Sequence, residues 1–489
     1  MSEERISIDP ITRLEGHGKI DILLDDDGDV QDAVLQVPEL RGFERFCQGR
    51  RAETMPRITE RICGVCPEAH HFASTKALDS AFQATPPEGA QKLRELLYNA
   101  YIFADHTLHL YYLGGPDYLT PESTPKEARN IVGVLDEVGL DIGQEVIKHR
   151  RLGHQIIEII GGHQVHPVTG IPGGLSKGIN EEEREEILEA ANSCRKFALQ
   201  SLDLLREHII DTPRFEELLT GEGHSLKTYY MGLVDDQNGL SFYDGDLRVV
   251  SPEGEEFARV STDRIMELVD EHVEPWTFVK FPYLKEIGWK GFVGGADSGL
   301  FRVGPLARIN VAEGMKTEQA QKEYEKFMNR FGSPVVHQTY GYIWARLIEL
   351  VQSAERMKEL AEEESLVEGD LKSELGEPGE GIGVIEAARG TLIHHYNLDS
   401  DGLVEGANMI VPSTSNNAAL SMSIRQAAEE YLDGSEVDDR LLNKVEMAFR
   451  PYDPCLACAS HAVDGGLDIE VNIYDSEGQL QERLRKDED

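Results

Sequence analysis

Arg61-Ile62-Cys63-Gly64-Val65-Cys66-Pro67-Glu68-Ala69-His70 and Asp453-Pro454-Cys455-Leu456-Ala457-Cys458-Ala459-Ser460-His461 are the stretches that decide how this sequence must fold. Each holds a Cys-x-x-Cys pair with a histidine close behind. Two pairs of thiolates form the donor set of a soft metal centre. Between Cys66 and Cys455 lie 388 residues, so the pairs meet only if the whole fold brings them together. In a zinc ribbon the two pairs stand about 15–20 residues apart. Tetrahedral zinc stays open from the cysteines alone, but not as a local knuckle.

The other two cysteines, Cys47 and Cys194, stand singly and read as small buried hydrophobes. Six cysteines in 489 residues make no disulfide framework and point to a reducing compartment. The sequence carries 89 acidic and 48 basic residues, a net charge of −41. Such a surface repels nucleic acid and anionic lipid, and runs such as Asp25-Asp26-Asp27 and Glu181-Glu182-Glu183 read as solvated faces. Hydrophobic residues make up 40%, and no run of 18 apolar residues marks a membrane span. Met1–Arg5 shows no export signal pattern.

Outward from the motifs, the pattern is an α+β chain, predominantly α. It has a central bundle of long helices and small β pieces near both termini. Lys19–Leu24 and Val30–Val37 flank the turn signal Asp25-Asp26-Asp27-Gly28-Asp29. Helical periodicity covers a stretch from Ala90 and then Ile142–Ile160, Glu181–Ile210, Glu318–Phe331 and Gly341–Glu364. Gly161–Gly174 reads as a loop, Leu226–Val250 as a strand-rich insertion and Glu364–Gly381 as an exposed acidic loop. Strand signals return at Ile382–Glu386, Thr391–Tyr396 and Leu403–Val411, with helices at Asn416–Tyr431 and Asp438–Ala448. The expected organisation is one domain over 1-489. It comprises a β-rich part (1-60), a helical core (61-381) with the insertion near 226-250, a β/α part with the second cysteine motif (382-461), and an extension (462-489).

Charged motifs stand beside the first pair: Arg13-Leu14-Glu15-Gly16-His17 and Arg41-Gly42-Phe43-Glu44. A structural zinc site needs neither. Taken singly, Glu15 reads as a member of an ion pair and Arg389 as a strand-end salt bridge. Pro454 is expected to hold Asp453 in extended backbone.

Together these motifs resemble the large, catalytic subunit of nickel–iron hydrogenases. Asp9–His17, Arg41–Glu44, Arg61–His70, Ile385-Glu386-Ala387-Ala388-Arg389-Gly390, Val411-Pro412-Ser413-Thr414 and Asp453–His461 carry the resemblance. With His394-His395-Tyr396 it is nearest the cytoplasmic cofactor-coupled branch, in particular the methanogen-type viologen-reducing enzymes associated with heterodisulfide reductase. The resemblance implies a nickel held by Cys63, Cys66, Cys455 and Cys458, with Cys66 and Cys458 also bridging to an iron that carries carbon monoxide and cyanide. It implies reversible heterolytic cleavage of dihydrogen into protons and electrons. Glu15 would relay the proton from Cys455, while Arg389 would hang over the open metal position, held by Asp105 and Asp453. Pro412 and Ser413 would contact the iron's cyanide ligands, and Glu44, Met409 and His461 would hold a magnesium ion. Ala388 departs from the family's usual proline before the arginine, which would relax the arginine's position.

The same resemblance implies that a maturation protease removes the residues after His461. It also implies an iron–sulfur-cluster-bearing small subunit, with further electron-transfer subunits such as heterodisulfide reductase or a flavoprotein. The alternatives are a non-catalytic scaffold like the related subunit of respiratory complex I, and a structural zinc protein.

Overall fold

A computed structural model describes residues 4–432, 439–462, 470–474 and 480–485. Four long helices form its centre: Glu88–Leu108, Leu140–Gly161, Glu181–Leu205 and Gly341–Ala361. Each packs against two of the others, so they close a ring. Their sequences explain the arrangement. The Glu88–Leu108 helix buries Leu93, Leu96, Leu97, Ala100 and Ile102. Asn180 and Glu183 form a reciprocal capping box at the start of Glu181–Leu205, satisfying two otherwise orphaned amides. The predicted helix Glu318–Phe331 is present with those bounds.

Small sheets pack on other helices, chiefly Pro67–Ala81, Pro305–Val311 and Asn417–Tyr431. The N-terminal hairpin gains a third strand, giving antiparallel Glu4–Ile8, Lys19–Leu24 and Val30–Gln36. The insertion is larger than its sequence signal: Tyr229–Val234, Asp246–Val250 and Glu256–Val260 are joined by the distant Phe301–Arg302. Glu380–Ala387, Gly390–Leu398 and Val404–Ile410 form an antiparallel meander. Among the described residues no helix is long and apolar enough to cross a membrane. In the C-terminal extension, Glu470–Tyr474 pairs antiparallel with Leu480–Arg485; 463–469 lie outside the described residues.

A helix that the periodicity did not reveal, Pro67–Ala81, lies on the meander. Ala69, Ala73, Ala77 and Ala81 repeat every four residues along it, all buried. The strand opposite carries Gly381 and Gly383, where a Cβ would stand 2.2 Å from the carbonyl oxygens of Ala77 and Ala73 respectively. Only small residues on both sides allow this approach. It docks the helix that starts just after Cys66 against the strand that leads to Arg389.

Candidate metal centre

Cys66 is the residue before the Pro67–Ala81 helix. The backbone amides of Val65 and Cys66 donate to Cys63 Sγ at 3.3 and 3.1 Å, folding the first pair into a tight loop. The second pair is held by other parts of the chain. The amide of Leu456 donates to the Glu15 carbonyl, and the Cys455 amide to Ser413 Oγ, each at 2.8 Å. Gly16 has φ +85, and a Cβ there would lie 2.4 Å from the Ala457 nitrogen. The N-terminal strap therefore needs glycine to reach the second cysteine loop.

The four sulfur atoms converge. Cys63 and Cys455 are 3.5 Å apart, Cys66 and Cys458 3.6 Å, and Cys455 and Cys458 2.7 Å. All four lie within 4.8 Å of one another and all are buried. The whole set belongs to the main hydrophobic core. Burial would raise the Cys63 thiol, but hydrogen bonds from Cys455, Cys458 and Cys66 and the charge of Arg389 hold it well below its ordinary value. Cys66 has hydrogen bonds from Cys455 and Cys458 favouring its thiolate, yet its hydrogen bond with Cys63, then burial and the charge at Cys63, push it up to about 11. Burial and the neighbouring sulfurs raise Cys455 well above its ordinary value. So the protein alone favours one thiolate. Holding four requires positive charge in their midst, the chemistry of a soft metal ion.

Glu15 reaches this cluster. The Cys455 thiol donates to Glu15 Oε2 at 3.1 Å and the Ala457 amide donates to the same oxygen at 3.2 Å. Burial, then the charge at Cys63, raises its pKa. Arg13 does not pair with Glu15; it bonds Asp117 and the Leu113 carbonyl.

Arg389 enters from the hairpin between Glu380–Ala387 and Gly390–Leu398. Its Nη1 donates to Asp105 Oδ2 at 3.0 Å and its Nη2 to Asp453 Oδ1 at 3.1 Å. Its charge acts on the Cys455 and Cys66 sulfurs. Asp105 is pushed up to about 6 by burial, against the pull of Arg389. Asp453 stays below its ordinary value, because Arg389, His109 and Arg346 outweigh its burial. Its backbone corrects the expectation of an extended residue before Pro454: φ is 58 and ψ 60, left-handed. The tight turn Arg450–Tyr452 and the two guanidinium partners of its carboxylate fix that conformation, which aspartate tolerates better than most residues.

Behind Asp453 runs a file of charges that the motifs did not reveal. Arg346 Nη1 lies 3.3 Å from Asp453 Oδ2 and donates to His106 Nδ1 at 3.1 Å. His106 Nε2 meets Glu349 Oε2 at 2.8 Å. Arg308 bonds both oxygens of Glu349, at 2.6 and 2.7 Å, and Glu386 Oε2 at 2.7 Å. All are buried. The available signal was Arg346 and Glu349 three residues apart in the otherwise apolar run of the Gly341–Ala361 helix.

Glu44, Met409 and His461 also meet. The Met409 amide donates to Glu44 Oε1 at 2.8 Å, His461 Nε2 lies 3.4 Å from that oxygen, and Nε2 also contacts the Met409 carbonyl. Ser413 accepts from Cys455, which leaves its hydroxyl hydrogen available to a ligand. Pro412 begins the short helix that carries Ser413.

The chain matches a family model described as Nickel-dependent hydrogenase over residues 41–133 and 290–461, and one described as HoxL-like over 5–40. An iron-sulfur subunit of the F420-non-reducing hydrogenase of Archaeoglobus profundus is 43% identical over 484 residues, 99% of each chain. The vhu F420-non-reducing hydrogenase of Methanocaldococcus jannaschii contains a polypeptide 42% identical over 87% of this chain and 99% of its own length. A solved NAD+-reducing NiFe-hydrogenase in the H2-reduced state superposes with a TM-score of 0.88 at 36% identity, covering 94% of this chain and 100% of that one.

Proposed function

Because this chain belongs to the nickel-dependent hydrogenase family, we propose a division of labour among the residues around its four sulfurs. The chain is the catalytic subunit of a nickel–iron hydrogenase and cleaves dihydrogen reversibly. The observation that carries this is the convergence of all four cysteines in a buried site, which a scaffold without metal has no need to keep.

Cys63, Cys66, Cys455 and Cys458 would hold the nickel–iron centre, with Cys66 and Cys458 also serving as ligands to the iron. When bound, the centre would supply the Lewis acidity that polarises dihydrogen for heterolytic cleavage. Cys455 takes up the proton, and Glu15 receives it across 3.1 Å. Such a relay needs a short hydrogen bond and a base whose pKa burial has brought upward; Glu15 has both. Arg389 keeps a fixed positive charge beside the sulfurs, because a guanidinium does not titrate in this range. Asp105 and Asp453 hold it there. Pro412 and the free hydroxyl hydrogen of Ser413 line the side where the iron's carbon monoxide and cyanide ligands would lie.

Glu44, the Met409 carbonyl and His461 supply the donors for magnesium, an oxygen-preferring ion. Metal would replace the direct contact between His461 Nε2 and the Met409 carbonyl. The family match ends at His461, which supports removal of residues 462–489 by a maturation protease.

Electrons leave through another polypeptide. Cys47 and Cys194 are buried in separate core clusters, so the cysteines outside the site do not converge on a cluster. An iron–sulfur small subunit is the immediate partner, in the cytoplasm, with heterodisulfide reductase or a flavoprotein beyond it. The names of the relatives favour an acceptor other than F420. Elemental analysis and infrared spectroscopy of the purified complex test the reading. Nickel and iron near one each, with carbon monoxide and cyanide bands, are expected; zinc alone would overturn it.

A further inference from the structure

Arg389 occupies a two-residue hairpin turn, since Ala387 pairs with Gly390 across it. Neither Ala388 nor Arg389 has positive φ, so this is not one of the mirror-image turns that hairpins prefer. Such a turn depends on outside contacts to fix its direction, and here every carbonyl leading into Arg389 is held. Tyr98 donates its hydroxyl to the Glu386 carbonyl at 2.9 Å. Arg308 donates Nη1 to the Ala387 carbonyl at 2.8 Å and Nη2 to the Ala388 carbonyl at 3.3 Å. The Ala388 amide donates to the Tyr101 hydroxyl oxygen at 3.2 Å.

Tyr98, Tyr101 and Asp105 share one helix at intervals of three and four residues, which puts them on one face. That single face grips the turn twice: the tyrosines hold the backbone leading into Arg389 and Asp105 holds its guanidinium. Arg308 is immobilised in turn by Glu349 and Glu386. Alanine at position 388 adds a contact of its own. Its amide, which a proline would lack, is part of the grip.

We propose that Tyr101 and Arg308 are positioning residues that set where the Arg389 guanidinium stands over the four sulfurs, by clamping the backbone of the Ala388–Arg389 turn. This rests on the reading of Arg389 as the charge beside the reacting position. A displacement of about 1 Å in such a group costs up to a hundredfold in rate, and an unclamped two-residue turn permits shifts of that order.

The test uses Tyr101→Phe, Arg389→Lys and the double variant, each in the whole complex with nickel and iron measured. Amide exchange followed by mass spectrometry reads the clamp directly, apart from activity. In Tyr101→Phe the Ala388 amide should exchange at least about tenfold faster, because its buried acceptor is gone. Dihydrogen–water isotope exchange per bound nickel should fall about tenfold. In the Arg389→Lys background, Tyr101→Phe should cost nothing further, since the two act as one unit. Unchanged protection at Ala388, wild-type exchange per nickel in Tyr101→Phe, or an equal loss in both backgrounds would each overturn the proposal. If Arg389→Lys itself keeps wild-type exchange, the role of Arg389 falls instead, and the clamp with it.

Discussion

Two buried clusters stand back to back in this molecule: four sulfurs, and the file of charges from Arg389 through Asp453, Arg346, His106 and Glu349 to Arg308. The sulfurs come from two short loops at the ends of other elements, and their spacing within each loop is local. Arg389 and Asp453 stand in turns, and the charges behind them come from the Glu88–Leu108, Pro305–Val311 and Gly341–Ala361 helices. Loops let the sulfurs close around an incoming ion, whereas helices hold the charges before any ion arrives. The metal-binding part thus rests on a support built largely from helices, as a preorganised site requires.

The largest effect should come from breaking the sulfur side. Cys458→Ser removes one of four converging donors, and the purified complex should retain no nickel and show only background isotope exchange. Retained nickel would show that three sulfurs suffice and that the four-donor reading is wrong. The matching break on the charged side is Glu349→Gln. It leaves Arg308 with Glu386 in place of two carboxylate partners, beside its two carbonyl contacts, and weakens the partner of His106. Breaking a buried pair from one side costs about 3–5 kcal/mol, read from the denaturant midpoint. A loss below about 1 kcal/mol would mean that the neighbours rearrange to absorb the charge and that the file is less rigid than its hydrogen bonds imply.

The same comparison explains what could be read in advance. The four cysteines, Glu15, Glu44 and Arg389 sit in short motifs whose spacing survives any rearrangement of the rest. The long helices announced themselves through periodicity. Pro67–Ala81 did not, because its alanines and its charged and polar residues are nearly all buried, so no amphipathic stripe exists to detect. The charge file was hidden for another reason. Arg346 and His106 are 240 residues apart and Arg308 and Glu386 are 78 apart, and no local pattern predicts such pairs. Asp453 shows a local rule overridden: the preference before proline gives way to two guanidinium contacts on its carboxylate.

A smaller effect separates proton handling from metal binding on the sulfur side. Glu15→Gln keeps the shape and the Ala457 amide contact but removes the base. Nickel and iron should stay at wild-type levels while isotope exchange with water slows about a hundredfold, the scale of a lost general base. Full exchange in this variant would take Glu15 out of the proton route and leave Cys455 to another acceptor.

The smallest effect is pH-dependent and belongs to the charged side. Arg346 can only donate to His106 Nδ1, so that nitrogen is unprotonated and Nε2 carries the hydrogen toward Glu349. The imidazole is therefore neutral, and burial lowers its pKa from 6.5 to about 4. Below pH 6.5 the unfolded chain binds a proton that the folded chain refuses until about pH 4, so stability falls as pH drops through this window. At pH 5 the loss from this one residue is about 2 kcal/mol relative to neutral pH. His106→Gln removes the titration but can still accept from Arg346 and donate to Glu349. The variant should be less stable than the wild type at pH 7, and the gap should narrow at pH 5. A gap that stays constant between the two pH values would show that His106 titrates alike in the folded and unfolded chains. The arginine behind Asp453 would then not be held in the way its hydrogen bonds describe.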